Sequence, residues 1–245
     1  MTHFKIHVID VENSLQNYIW LLEDTKTHEV VVVDPTEGEI VIEYCKNNYL
    51  KIKQVWLTHW HKDHTAGVPK LLEFDASLPI YGPQLEEKKI PFLSKPLQHQ
   101  DQFNFNHFNI EVLATPGHTL GHIVFYIPNI NCVFVGDTLF AMGCGRVFEG
   151  THTQMYHSLQ LLTKLPNITQ VYCTHEYTLS NAKFALSVEP DNFILQERVE
   201  HIEYLRLLNK ITLPTTIALE KETNPFLRAE SIESFSNLRT LKDNL

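Results

Sequence analysis

The chain has 245 residues, 43% of them hydrophobic, and a formal net charge of −9 with its fourteen histidines counted as neutral. That size and composition exclude a disordered chain, and the acidic balance speaks against a general affinity for nucleic acid. No run approaches the ~20 apolar residues of a membrane span, and Met1-Thr2-His3-Phe4-Lys5 lacks the regions of a secretory signal, so a cytoplasmic protein without membrane contact is expected.

In chain order, His7-Val8-Ile9-Asp10, Tyr18-Ile19-Trp20-Leu21-Leu22 and Glu29-Val30-Val31-Val32-Val33 are strand-like runs separated by polar breaks, which predicts three antiparallel strands. Ile40, Val41, Tyr44 and Cys45 recur at helical spacing between Gly38 and Asn48, and Ile52 to Leu57 returns to strand. Pro69 to Phe74 reads as a helix and Leu78 to Tyr81 as a short strand, while Gly82 to Gln100 is polar and broken by prolines. Strand patterns resume at Phe108–Ala114, Ile123–Ile127, Cys132–Val135 and Gln170–Cys173, with a helix expected over about Thr153 to Leu165. Asn181 to Glu189 and Asn192 to Leu208 have helical spacing and no strand is expected after them. The reading divides the chain into a domain at 1–176 and a helical one at 177–245.

The stretch Thr58-His59-Trp60-His61-Lys62-Asp63-His64 places four metal-binding side chains within six positions, directly after the apolar run Val55-Trp56-Leu57. Imidazoles with a carboxylate suit zinc or a similar divalent ion, and two such sets suit two ions. Other strand runs also end in a potential ligand: His118 after Val112-Leu113-Ala114, Asp137 after Val133-Phe134-Val135, and His175 after Val171-Tyr172-Cys173. The expected partition puts His59, His61 and His118 on one ion, Asp63, His64 and His175 on the other, and Asp137 on both. Two adjacent ions that share a hydroxide imply hydrolysis without a protein nucleophile. Asp34 and His122 are candidates to orient a ligand imidazole. Cys45, Cys132, Cys144 and Cys173 lack paired spacing, so reduced and mostly buried thiols are expected, Cys144 included.

His59-Trp60-His61-Lys62-Asp63-His64, Thr115-Pro116-Gly117-His118-Thr119-Leu120-Gly121-His122, Gly136-Asp137-Thr138 and His175 together resemble the metallo-β-lactamase superfamily. That resemblance implies an α/β (α+β) fold, an αββα sandwich with the dinuclear site at one edge. Leu139 to Arg146, Phe148-Glu149-Gly150-Thr151, Thr174-His175-Glu176-Tyr177-Thr178 and Asn224-Pro225-Phe226-Leu227-Arg228 further resemble the glyoxalase II (hydroxyacylglutathione hydrolase) family, over almost the whole chain and including a helical C-terminal domain. The family resemblance implies hydrolysis of S-lactoylglutathione and related glutathione thioesters by a metal-bridging hydroxide, with Asp63 and Asp137 as the catalytic carboxylates. It also implies two divalent ions, zinc first and iron or manganese as alternatives, and substrate contacts from Arg146, Tyr177, Arg239 and Lys242. Phe148 stands where some members have tyrosine, which removes a hydroxyl contact to glutathione. A monomer is expected. Competing readings are a single-iron persulfide dioxygenase on the same fold, a β-lactamase, and a nucleic-acid processing enzyme. The C-terminal segment with Arg239 and Lys242 opposes the first, His64 after Asp63 opposes the second, and the acidic balance opposes the third.

Overall fold

The computed structural model describes residues 3–245. β1 (Phe4–Asp10), β2 (Tyr18–Asp24) and β3 (Glu29–Val33) form an antiparallel meander. Val30 to Val33 are all buried, as expected of a strand covered on both faces. α1 (Gly38–Asn47) turns Val41 and Cys45 inward and leads to β4 (Lys51–Trp56), which runs parallel to β3. The short α2 (Lys62–Thr65) and α3 (Val68–Phe74) follow, then β5 (Ile80–Pro83) and β6 (Lys95–Leu97), both parallel additions. This first sheet has the order β1-β2-β3-β4-β5-β6.

The chain continues through β7 (Gln102–Phe105), β8 (Phe108–Ala114), β9 (Ile123–Ile127) and β10 (Cys132–Gly136), then a small hairpin of β11 (Leu139–Phe140) and β12 (Gly143–Cys144). α4 (His152–Leu162) starts with a capping box in which Thr151 and Gln154 satisfy each other's backbone donors. β13 (Gln170–Cys173) runs parallel to β10. The remainder is α5 (Thr178–Val188), α6 (Phe193–Leu207), β14 (Thr215–Thr216), α7 (Ile217–Thr223), α8 (Pro225–Arg228) and α9 (Ile232–Asp243). In the second sheet β7, β8 and β9 are consecutive neighbours, as are β10, β13 and β14.

Two compact units result: one runs to Ala114 and takes in Ile123–Ile130, and the other comprises Thr115–His122 and Asn131–Leu245. In the first unit the sheets meet through aromatics, with Trp56 stacked on Phe125 at 5.0 Å and edge-on to Phe103 at 5.5 Å. In the second, Met142, Ala182, Ala185, Leu195, Val199 and Ile202 form a buried cluster, and Phe184 stacks on Phe226 at 5.6 Å. The expectation of no strand after Leu208 is corrected by β14, which pairs antiparallel with β13 through Thr215 and Thr216. Two residues carry no readable periodicity; the pairing exists because a neighbouring strand edge is there to receive it.

One buried polar cluster in the first unit makes a stability prediction. Glu23 accepts from His7 Nε2 at 2.7 Å and from His28 Nδ1 at 2.8 Å. Burial pushes its pKa up, but the two histidine hydrogen bonds outweigh this and hold it below the ordinary 4.5. A lowered folded pKa means stability that is complete above pH 4.5 and is lost as pH falls through the folded value. Urea midpoints measured against pH are therefore expected to fall less steeply below pH 4.5 in Glu23→Gln than in the parent chain; parallel curves would assign the acid sensitivity elsewhere.

Candidate metal centre

In the first unit the donors follow β4. Asp34, at the end of β3, has φ 50°, a left-handed conformation that aspartate tolerates better than most residues. Its carboxylate accepts from Thr58 N at 2.8 Å, from Thr58 Oγ1 at 2.7 Å and from His64 Nδ1 at 3.0 Å. The Thr58 hydroxyl proton goes to that carboxylate, so its 3.1 Å contact with His59 Nδ1 requires His59 to donate. His59 and His64 are thus both protonated on Nδ1 and present the Nε2 lone pair, the tautomer a metal ligand needs. Their rings lie 4.0 Å apart, and His61 lies 4.6 Å from His59. Asp63 Oδ2 stands 3.4 Å from His64 Nε2. Asn17 donates to the Asp63 carbonyl at 3.2 Å and to its Oδ2 at 3.4 Å, and Thr36 Oγ1 donates to the same carbonyl at 2.5 Å.

In the second unit, His118 Nδ1 donates to the Arg146 carbonyl at 2.8 Å, which again leaves Nε2 as the lone-pair nitrogen. That nitrogen is 3.4 Å from Asp137 Oδ2, while His175 Nε2 is 3.3 Å from Asp137 Oδ1. Gly117, at φ 153°, seats this loop on α4, where a Cβ would come within 2.8 Å of Met155 Cβ. Gly145 admits an even closer approach, since a Cβ there would lie 1.9 Å from the Asp137 carbonyl oxygen. His175 stacks on Tyr177 at 4.7 Å, and Phe148, exposed, packs edge-on to His118 at 5.2 Å.

These contacts test the fit of a metal. A neutral imidazole that donates through Nδ1 has only a lone pair at Nε2, and a carboxylate has only lone pairs, so His118 facing Asp137 and His64 facing Asp63 are each two acceptors opposed. A cation held by both relieves the opposition, and the N/O donor chemistry is that of zinc, iron or manganese. The first unit supplies four such donors, His59, His61, Asp63 and His64, and the second supplies His118, Asp137 and His175.

Sequence-level candidates for supporting roles are placed unequally. Asp34 orients His64. His122 accepts through Nε2 from the Asp137 backbone N–H at 3.1 Å, its Nδ1 meets the Thr115 and Thr138 hydroxyls, and its ring stands edge-on to His118 at 6.3 Å. Nothing local in the sequence marks Asn17 and Thr36, whose partner, Asp63, is tens of positions away. Cys144 is buried, which pushes its thiol pKa up to about 11 despite the Arg239 guanidinium nearby, so it is no ready nucleophile.

The expected substrate contacts differ among themselves. Arg146 is half-exposed, and its Nε and Nη2 reach Asp243 Oδ1 and the Asp243 carbonyl at 3.2 and 3.1 Å. Arg239 is only 4% exposed. Its Nε and Nη2 reach the same Asp243 Oδ1 at 3.1 and 2.9 Å, and Nη1 donates to the Cys144 carbonyl at 3.0 Å. The carboxylate between these two arginines is therefore the chain's own Asp243. Lys242 is half-buried, with Nζ donating to the Ser180 carbonyl at 3.1 Å, and burial followed by the Arg239 charge lowers its pKa.

Known proteins match these features in sequence and in fold. Residues 13–175 match the metallo-beta-lactamase superfamily and residues 176–245 the hydroxyacylglutathione hydrolase C-terminus. A hydroxyacylglutathione hydrolase of Pseudomonas fluorescens is 46% identical over 93% of this chain and 89% of its own length. That of Idiomarina loihiensis is 41% identical over 98% of this chain and 99% of its own. Among solved structures, ETHE1 from Myxococcus xanthus superposes with a TM-score of 0.72 at 26% identity, covering 96% of this chain and 90% of its own. The B3 metallo-beta-lactamase BLEG-1 gives 0.70 at 22% identity over 91% of this chain and 99% of its own, a likeness of fold. With relatives this similar along nearly its whole length, the chain belongs to the hydroxyacylglutathione hydrolase family, thioester hydrolases built on the metallo-beta-lactamase fold.

Proposed function

We propose that the chain hydrolyses S-(2-hydroxyacyl)glutathione thioesters, S-D-lactoylglutathione among them, to glutathione and a 2-hydroxy acid such as D-lactate. In this reading His59, His61 and His118 hold one divalent ion, Asp63, His64 and His175 hold a second, and Asp137 holds both, with zinc the expected metal. The observation that carries it is Asp137, whose two oxygens each face the Nε2 of a different histidine at 3.3 and 3.4 Å. When bound, such ions supply a hydroxide at neutral pH and polarise a carbonyl. The chain's residues do the rest. Asp34, Thr58 and the Arg146 carbonyl keep three imidazoles in the ligand tautomer, and Asn17 with Thr36 holds Asp63. No side chain needs to protonate the leaving group, since a thiolate whose thiol has a pKa of about 8.5 departs far more readily than an alkoxide and takes its proton from water afterwards.

Arg146, Tyr177 and Lys242 are proposed to hold the glutathione portion, with Arg239 acting through Asp243, the carboxylate it shares with Arg146. Four buried free cysteines agree with a reducing, cytosolic setting; among the described residues no helix is long and apolar enough to cross a membrane. A monomer completes the reading. Arg146 is half-exposed, so its contribution is discounted for screening to about 1 kcal/mol. Arg146→Ala and Lys242→Ala are each expected to raise KM for S-lactoylglutathione by roughly three- to tenfold with a smaller change in kcat. A simple thioester without carboxylates is expected to be unaffected. Equal KM values in variants and parent would return these side chains to the surface. In the same assay, thiol release without oxygen uptake supports hydrolysis, and oxygen uptake would favour the dioxygenase alternative.

A further inference from the structure

The hairpin of β11 and β12 lies between two metal-centre elements: Asp137 precedes it, and Arg146, whose carbonyl takes the His118 Nδ1 proton, follows it. Its inner backbone groups are held by side chains of the C-terminal helices. Glu220 Oε2 accepts from Met142 N at 2.8 Å, and Asn181 Nδ2 donates to the Ala141 carbonyl at 3.1 Å. Asn224 Nδ2 donates to the Phe140 and Gly143 carbonyls at 3.2 and 2.9 Å. All three residues are buried, and Glu220 is itself fixed by Arg198 and Thr215 at 2.6 Å each.

The packing leaves the hairpin no slack. A Cβ on Gly143 would stand 2.4 Å from Asn181 Nδ2, so the two touch directly. At the far end Gly145 N donates to the Thr138 carbonyl at 3.2 Å and lies against the Asp137 carbonyl. A displacement of the hairpin is therefore passed to Asp137 through Gly145 and to His118 through the Arg146 carbonyl.

We infer that Asn181, Glu220 and Asn224 are positioning residues for the metal centre: through the 139–146 segment, the C-terminal helices set where Asp137 and the Arg146 carbonyl stand. This rests on the reading of His118 and Asp137 as ligands. It gives the C-terminal region a task in metal binding besides substrate recognition. Groups that orient ligands from outside are typically worth ~10- to 100-fold in metal affinity.

The test compares Asn181→Leu, which removes the donor to Ala141 while keeping the branching of the side chain, with Asn192→Ala. Asn192 caps α6 by accepting from Leu195 N and donates through Nδ2 to Glu189 Oε2 and to the Glu222 carbonyl of α7, none of them in the hairpin. Zinc affinity is measured by competition with a chromophoric chelator, alongside thermal unfolding of the metal-free proteins and steady-state kinetics. Asn181→Leu is expected to lose roughly 10- to 100-fold in zinc affinity, and to lose kcat with little change in KM. Asn192→Ala is expected to lose only thermal stability. Asn181→Ala is the milder variant should the leucine chain not fold. Zinc affinity within about twofold of the parent in a folded Asn181 variant, or an equal loss in Asn192→Ala, overturns the inference while leaving the ligand reading intact. Parent protein that takes up no zinc overturns both.

Discussion

Asp137→Ala is expected to lower kcat by on the order of a thousandfold, while Cys144→Ala stays within about threefold of the parent. Lewis-acid assistance is worth several kcal/mol, and each ~1.4 kcal/mol is a factor of ten in rate. Asp137 is the carboxylate that faces both His118 and His175, so its removal withdraws a ligand from both proposed ions at once. Cys144 is buried with its thiol pKa pushed up to about 11, and it contributes packing beside Arg239 rather than an attacking thiolate. Thermal unfolding of the metal-free variants separates loss of fold from loss of chemistry. Comparable losses of kcat in two folded variants would show that the thiol takes part.

Asp34→Ala is expected to do nearly as much damage by a different route. The substitution orphans three donors in a buried site: Thr58 N, Thr58 Oγ1 and His64 Nδ1. An unsatisfied buried donor costs about 1–3 kcal/mol, so several kcal/mol of stability are at stake. His64 also loses the carboxylate that keeps its proton on Nδ1, for which a drop of roughly 10- to 100-fold in metal affinity is expected. Denaturant unfolding with and without zinc measures both effects. A variant that keeps the parent's zinc affinity would mean that Asp34 serves the fold alone.

How much of this was legible in the sequence depends on whether the cause is local. The run Val30 to Val33 and the helix after Gly38 declare themselves by periodicity, and His59 to His64 by ligand density, because each signal lies within one short window. β6, β7 and β14 leave no such signal: strands of two to four residues form because an adjacent strand edge offers partners, which a window cannot contain. The supporting residues divide the same way. Thr58 lies inside the histidine stretch, but Asn17 reaches Asp63 from 46 positions away, and its neighbours, Asn13 among them, explain only the turn it sits in. His122 reads as a support for an imidazole; in the fold its Nε2 accepts from the Asp137 backbone and its ring stands edge-on to His118. Arg239 reads as a free cation three positions from Lys242; only the folded chain brings Asp243 and the Cys144 carbonyl onto its guanidinium and Phe226 under it.

The most direct test of the central claim is to titrate metal-free protein with zinc while bound metal and thiol release from S-D-lactoylglutathione are followed together. Hydrolysis is expected to rise with zinc and to be complete at two ions per chain. Full activity at one ion per chain, or two bound ions with no thiol released, would contradict it.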